Sequence, residues 1–282
     1  MKDDNPFQGR RLWIVTQHQK ERVIAPILRK RLGLVCMVFT GINTDQFGTF
    51  SGEVARQGSA LDAARAKCRG ASALLPPDLI LTSEGSFGPH PHIPFVYCNE
   101  ELLLLTDTRE SHEWKITAVT TRTNFGSAKV ESESQLIDFA LKAGFPSHAL
   151  ILRSVDGPKV IIKGINSWSK LKYHFRKLLL QHPVIQAETD MRAMFNPLRM
   201  EFIGKATREL ANLLLRKCPK CQTPGYSVTD VIRGLPCSWC GEPTSSVLAN
   251  CFTCSACGCK TEKYFPFGKQ TEDPMYCHSC NP

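Results

Sequence analysis

The chain has 282 residues, 42% of them hydrophobic and 22% charged, with a net charge of +9; this excludes a disordered or low-complexity chain and leaves room for one or two packed domains. Its longest leucine run, residues 102–105, is far shorter than the roughly 20 apolar residues of a membrane span. The opening Met-Lys-Asp-Asp-Asn-Pro lacks the apolar core of a secretion signal, so a soluble, cytoplasmic protein with no membrane partner is expected.

Residues 12–15, Leu-Trp-Ile-Val, read as a first strand. A polar loop carrying Thr16, His18 and Lys20 follows, then a helical pattern through Val23, Ile24, Ile27, Leu28 and Leu32. Pro26 inside this run predicts a helix start or a kink there, and Gly33 a stop. Residues 34–39 form a second apolar strand, so the opening is βαβ-like, and Thr16, His18 and Lys20 stand where a loop can meet an anion.

The next loop, residues 43–53, ends in Glu53. An alanine-rich helix over residues 59–70 follows, with Ser59 as N-cap and Gly70 as stop. A short strand over 78–81 leads into Thr-Ser-Glu-Gly-Ser-Phe-Gly-Pro-His-Pro, residues 82–91, whose glycines and prolines predict a loop with Glu84 at its mouth. Glu53 and Glu84 can then meet at one site, and paired carboxylates beside a phosphate loop are how proteins hold Mg²⁺ or Mn²⁺.

The order of these features resembles the first half of the inosine/xanthosine triphosphate pyrophosphatase superfamily: strand, Thr-x-His-x-Lys loop, helix, strand, acid, Ala64-x-x-Lys67 helix, strand, then acid and glycine. The resemblance covers roughly residues 12–90 and implies that His18 and Lys20 face phosphates, Lys67 supports them, and Glu53 and Glu84 serve a metal and activate water. That superfamily usually has asparagine at the place of His18, and its lysine one residue later than Lys20. Over nearly the whole length, the chain is identified as a member of an uncharacterised bacterial family, a domain of unknown function. The motifs that carry this are Asp-Gln-Phe-Gly-Thr-Phe-Ser-Gly-Glu (45–53), Glu-Gly-Ser-Phe-Gly-Pro-His-Pro (84–91), Gly-Phe-Pro-Ser-His (144–148), Thr-Asp-Met-Arg-Ala (189–193), Asn-Pro-x-Arg-Met (196–200) and the terminal cysteine pairs. Membership implies no established activity.

Between residues 94 and 152 strands are expected at 95–97, 102–105, 115–121 and 149–153, and a helix at 134–143 closed by Gly144. Asn124 and His148 are loop residues that can either line a cleft or brace a corner. The basic excess lies further on: residues 151–217 hold 13 Lys/Arg against 5 Asp/Glu, whereas 1–150 hold 17 against 16 and 218–282 hold 5 against 5. Such a segment suits phosphates of nucleotides or nucleic acid, or it is a solvated helix face. One helix is capped by Asn166 or Ser167 and runs to about Gln181. A turn of helix begins at residues 188–193, and a long helix opens at Asn196-Pro197 and runs to Lys217. Arg192 and Arg199 flank its start, where they can grip a phosphate beside free N–H groups or simply pair with Asp190.

The cysteines come last, ten of 13 after residue 217. Cys218-x-x-Cys221 and Cys237-x-x-Cys240 have the spacing of one Cys₄ zinc ribbon, closed and therefore structural. Cys254-x-x-Cys257 and Cys277-x-x-Cys280 form a second set, with Cys251, Cys259 and His278 as alternative ligands.

The expected fold class is α/β: a mixed sheet with flanking helices (residues 10–164), a basic helical segment (165–217) and a C-terminal zinc-ribbon module (218–282). The function expected is a metal-dependent phosphohydrolase acting on a nucleotide or other phosphorylated small molecule. The alternatives are a zinc-ribbon nucleic-acid-binding protein, with nucleic acid as partner, and a protein–protein adaptor.

Overall fold

The computed structural model describes residues 5–42, 58–157 and 160–282. Two compact units divide the chain, Met1–Leu210 and Ala211–Pro282. In the first, β1 (Arg11–Val15) pairs in parallel with β2 (Val35–Phe39) on one side and β3 (Leu79–His90) on the other. Antiparallel β4 (Ile93–Asp107) and β5 (His112–Thr120) complete a mixed sheet of order β2-β1-β3-β4-β5. The chain leaves β1 for β2, then returns past β1 to make β3. The order reverses between β1 and β3, the place where open α/β sheets collect ligands.

Alternation along the strands assigns the helices. α1 (Glu21–Leu32) buries Ile24, Ala25, Leu28 and Leu32, and the thiol of Cys36 on β2 reaches the carbonyl of its Ala25. α2 (Ala60–Ser72) packs Cys68 and Ala71 against Val15, Ile80, Trp13 and Phe39 on the opposite face. Ser59 caps α2 with a full capping box, its hydroxyl accepting from the N–H of Asp62 while the Asp62 carboxylate takes the N–H of Ser59. Pro26 neither starts nor ends α1, which runs four residues or more on both sides of it, and Gly33 closes the helix at φ +66°.

The expected loop at residues 82–91 is a correction. β3 continues through it to His90, because the partner strand β4 supplies hydrogen-bonding positions from Asp107 opposite Leu79 to Tyr97 opposite Pro89 without a register break. The strands expected at 95–97 and 102–105 are both part of this one β4.

A second, antiparallel sheet has the order β6-β9-β7-β8, from β6 (Ser127–Val130), β7 (Leu150–Ser154), β8 (Ile161–Ile165) and β9 (Ile185–Thr189). α3 (Glu133–Lys142) and α4 (Trp168–Leu179) close over it with Leu136, Ala140, Leu171, Phe175 and Leu178 around Leu150, Leu152 and Ile185. The helical turn expected at 188–193 is the end of β9 followed by a short 3₁₀ turn, Ala193–Phe195. α5 (Pro197–Leu215) then passes beside α1, so close that a Cβ on Gly204 would touch Ile27 and Val23.

In the second unit, β10 (Ser227–Arg233), β11 (Val247–Thr253) and β12 (Lys260–Tyr264) form an antiparallel sheet in chain order. Among the described residues no helix is long and apolar enough to cross a membrane.

Candidate functional site

The loop after β1 turns straight into α1, and the last residue before the helix is Lys20, buried with its ammonium under the sheet. Its Nζ donates to Ser83 Oγ at 2.9 Å and to the Ser83 carbonyl at 3.4 Å. Glu101 Oε2 makes an ion pair with it at 3.6 Å, beyond hydrogen-bond reach, and has no hydrogen-bond partner among the described residues. Glu101 is itself fully buried in β4, and its other oxygen accepts from Arg199 Nε at 2.5 Å. Arg199, on the first turn of α5, also donates to the carbonyl of Met191 and lies 5.2 Å over the ring of Phe87. Ser83, Gly85 and Phe87 alternate onto the same face as Glu101, which is how one strand serves this whole group.

Glu84 points to the other face, where Lys67 of α2 meets it at 2.5 Å. Arg192 forms a pair of its own with Asp190 at 2.6 Å, a carboxylate that also accepts from the Gly164 N–H. His18 feels all of these cations. Burial, then Lys20, Arg199, Arg192 and Lys67 in turn, hold its imidazole down to about 3, so it is neutral at physiological pH. Burial also brings Lys20 down to about 8, opposed by Glu101 and reinforced by Arg199.

The structure therefore brings His18, Lys20, Lys67, Arg192 and Arg199 into one electrostatic neighbourhood around the reversal point of the sheet. Thr16 is buried at the end of β1 and its hydroxyl accepts from the His18 N–H. Glu53 falls outside the described residues. The free N–H groups expected at the start of α5 are a correction: Asn196 Oδ1 takes the N–H of Arg199, and His148 Nε2 faces that of Leu198. Asn124 braces the same corner, accepting from Asn196 and donating to the Ala143 carbonyl. Two members escaped the sequence reading, Ser83 and Glu101. The available signal for Glu101 was a carboxylate opening an apolar run, Glu101-Leu-Leu-Leu-Leu105, where burial demands a cationic partner.

A hard cation needs carboxylate oxygens that are open to it. Among the described residues, Glu84 is held by Lys67, Glu101 by Arg199 and Asp190 by Arg192. As they stand, these residues do not fit a Mg²⁺ or Mn²⁺ site.

The second unit is metal chemistry of another kind. The thiols of Cys218, Cys221, Cys254 and Cys257 lie within 4.8 Å of one another, and so do those of Cys237, Cys240, Cys277 and Cys280. Individual Sγ–Sγ separations are 3.7 Å for Cys218–Cys257, 3.5 Å for Cys221–Cys254, 3.9 Å for Cys237–Cys280 and 3.6 Å for Cys240–Cys277. Four thiolates held tetrahedrally at about 2.3 Å from zinc stand about 3.8 Å apart, whereas a disulfide needs about 2.05 Å. Both tetrads fit a closed, structural zinc. The ligand pairing corrects the sequential one: the first knuckle joins the third and the second joins the fourth, and Cys251, Cys259 and His278 belong to neither tetrad. Each knuckle closes with the same turn, the fifth residue's N–H returning to the first cysteine's carbonyl at Gln222, Gly241, Gly258 and Asn281.

The family model that matches residues 67–282 is described as a domain of unknown function (DUF6671). No curated protein and no solved structure matches the chain.

Proposed function

The chain belongs to that family of unknown function, so its activity has to be argued from its own residues, and we propose that the first unit is a phosphohydrolase acting on a nucleotide or related phosphate. The observation that carries this is the gathering of Lys20, Lys67, Arg192 and Arg199 around a neutral His18 at the sheet reversal. Cations fixed in a partly desolvated place bind and stabilise phosphoryl charge far better than the same groups in water. Thr16 and His18 add neutral hydrogen-bonding groups beside them. The ion pair of Glu84 with Lys67 argues against a metal held there in the resting protein, so no step is assigned to one.

The test is release of phosphate or pyrophosphate from a panel of nucleoside triphosphates, inosine and xanthosine forms included, with and without Mg²⁺ or Mn²⁺. Lys67→Ala and Glu84→Ala run beside the parent protein, with the denaturation midpoint of the first unit as the check of integrity. Turnover that falls in both variants while the first unit stays folded supports the reading; no turnover on any nucleotide sinks it.

Nucleic-acid binding by the basic helices of residues 151–217 together with the ribbons is the second reading. The ribbon residues 218–282 carry 5 basic against 5 acidic residues, so its electrostatic footprint rests on the 13 basic residues of 151–217, and steep salt dependence of RNA or DNA binding is its test. The enzyme reading is the one we carry forward.

A further inference from the structure

We propose that Ser83 is a nucleophile and Lys20 its general base, a dyad that attacks phosphorus; this rests on the phosphate reading for its substrate, not for its geometry. The hydroxyl of Ser83 is the closest side-chain partner of Lys20, at 2.9 Å, and Ser83 is partly exposed whereas Lys20 is buried. Its neighbour Thr82 has committed its hydroxyl to the Ala64 carbonyl of α2, on the other face. The carboxylate nearest Lys20 is Glu101, whose Oε2 lies 3.6 Å from Nζ while its Oε1 is held by Arg199, so one carboxylate is shared between two buried cations. Lys20 thus hydrogen-bonds a hydroxyl and a carbonyl, shares Glu101 with Arg199, and stands in a place also crowded by Lys67. Burial with only a shared counter-ion favours the neutral amine, which makes a lysine a base near neutral pH.

In the step, the neutral Lys20 amine takes the Ser83 proton and becomes an ammonium. The Ser83 oxygen forms a bond to phosphorus, and the bond from phosphorus to the leaving phosphate oxygen breaks, the electron pair departing with that oxygen. Water then attacks the same phosphorus, the P–Oγ bond breaks, the serine oxygen takes back the proton held by Lys20, and the proton shed by the attacking water leaves with the phosphate products. The net change is hydrolysis of one phosphoric anhydride. Arg199, which lies against the same face of β3 at Gly85, is the cation placed to offset charge on the phosphoryl oxygens.

A biotinylated fluorophosphonate tests this without any assumption about the natural substrate. The full-length, zinc-loaded protein is expected to lose fluoride from the probe and gain an adduct on Ser83, mapped by mass spectrometry and absent in Ser83→Ala. Lys20→Arg keeps the charge but not the base, and is expected to label about 100-fold more slowly. Because an arginine there can disturb folding, the parent protein's pH profile is the second measure. Its labelling rate should rise through about pH 8, set by Lys20 among Glu101, Glu84, Arg199, Lys67 and His18. No adduct on Ser83, a parental rate in Lys20→Arg, or a flat profile overturns the dyad. Nucleotide turnover without Ser83 labelling refutes the dyad and leaves the phosphohydrolase standing. Labelling without nucleotide turnover does the reverse.

Discussion

A Cβ atom on Gly85 would stand 2.2 Å from Nη2 of Arg199 and 2.6 Å from Oε1 of Glu101, so the bare backbone of β3 is what lets two buried charges meet. The guanidinium cannot retreat, since it is fully buried and also holds the Met191 carbonyl. Gly85→Ala is therefore expected to destabilise the first unit by about 3 kcal/mol, through overpacking and a strained buried ion pair. Chemical denaturation followed by tryptophan fluorescence reads this directly. A loss under about 0.5 kcal/mol, the level of an ordinary surface change, would mean that the pair is not held as described.

His18 makes stability depend on pH with a definite sign. Its folded pKa is about 3 against 6.5 for the ordinary imidazole, from burial first and then Lys20, Arg199, Arg192 and Lys67. Between those values the unfolded chain binds a proton that the folded chain refuses. The contribution is fully present above about pH 6.5 and is lost as pH falls toward 3. His18→Gln should flatten the stability profile over that window by up to about 1.4 kcal/mol per pH unit. Urea midpoints at about pH 4.5 and 6.5, compared between variant and parent, measure it, and parallel profiles would show that His18 takes up its proton when folded.

Local signals account for much that was legible beforehand. Ser59 ahead of α2, Gly33 after α1 and Gly144 after α3 are all features of short segments, and they bound those helices. Residues 82–91 misled because glycine and proline speak only for the chain's own preferences. Their strand is imposed by β4, which no local window contains. Glu101 was overlooked for a related reason, since its meaning depends on Arg199, 98 residues away. The cysteines announced metal plainly, but four Cys-x-x-Cys pairs do not say which joins which. That is decided by the sheet between them.

Lys67 and Glu84 offer a test of a buried pair on the opposite face of the sheet. Their side chains are 10% and 6% exposed and the charged atoms lie 2.5 Å apart. Removing one partner strands the other in a poor solvent, so Lys67→Met alone should cost about 3–5 kcal/mol. The double variant Lys67→Met, Glu84→Gln should recover a good part of that loss, because two neutral groups of similar size need no counter-charge. Strict additivity in the double-mutant cycle would refute a direct interaction. The cycle also separates folding from chemistry, since a stable double variant that no longer hydrolyses nucleotide assigns the pair to the proposed activity.

The two tetrads should behave as one unit. β10 runs from Cys221 toward Cys237, β11 from Cys240 to Cys254, and β12 from the Cys257 knuckle toward Cys277, so every strand ties one tetrad to the other. The antiparallel register places Ser227, Thr253 and Lys260 together at the end nearest the first tetrad, with Arg233 beside Val247 and Ala249 beside Tyr264 toward the second. A bridge between Cys237 and Glu272 ties the closing segment to the second knuckle. A metal bound at either end fixes strands that the other site also needs, and in small modules of this kind metal binding is folding free energy. The chain is expected to hold two zinc ions by elemental analysis and to release both in a single phase to a chelator. Cys237→Ser, which alters only the second tetrad, should also weaken the first by tenfold or more in a cobalt titration read by thiolate charge-transfer absorption. A variant that keeps one cobalt at parental affinity would show that the sites are independent, and that the shared strands transmit nothing between them.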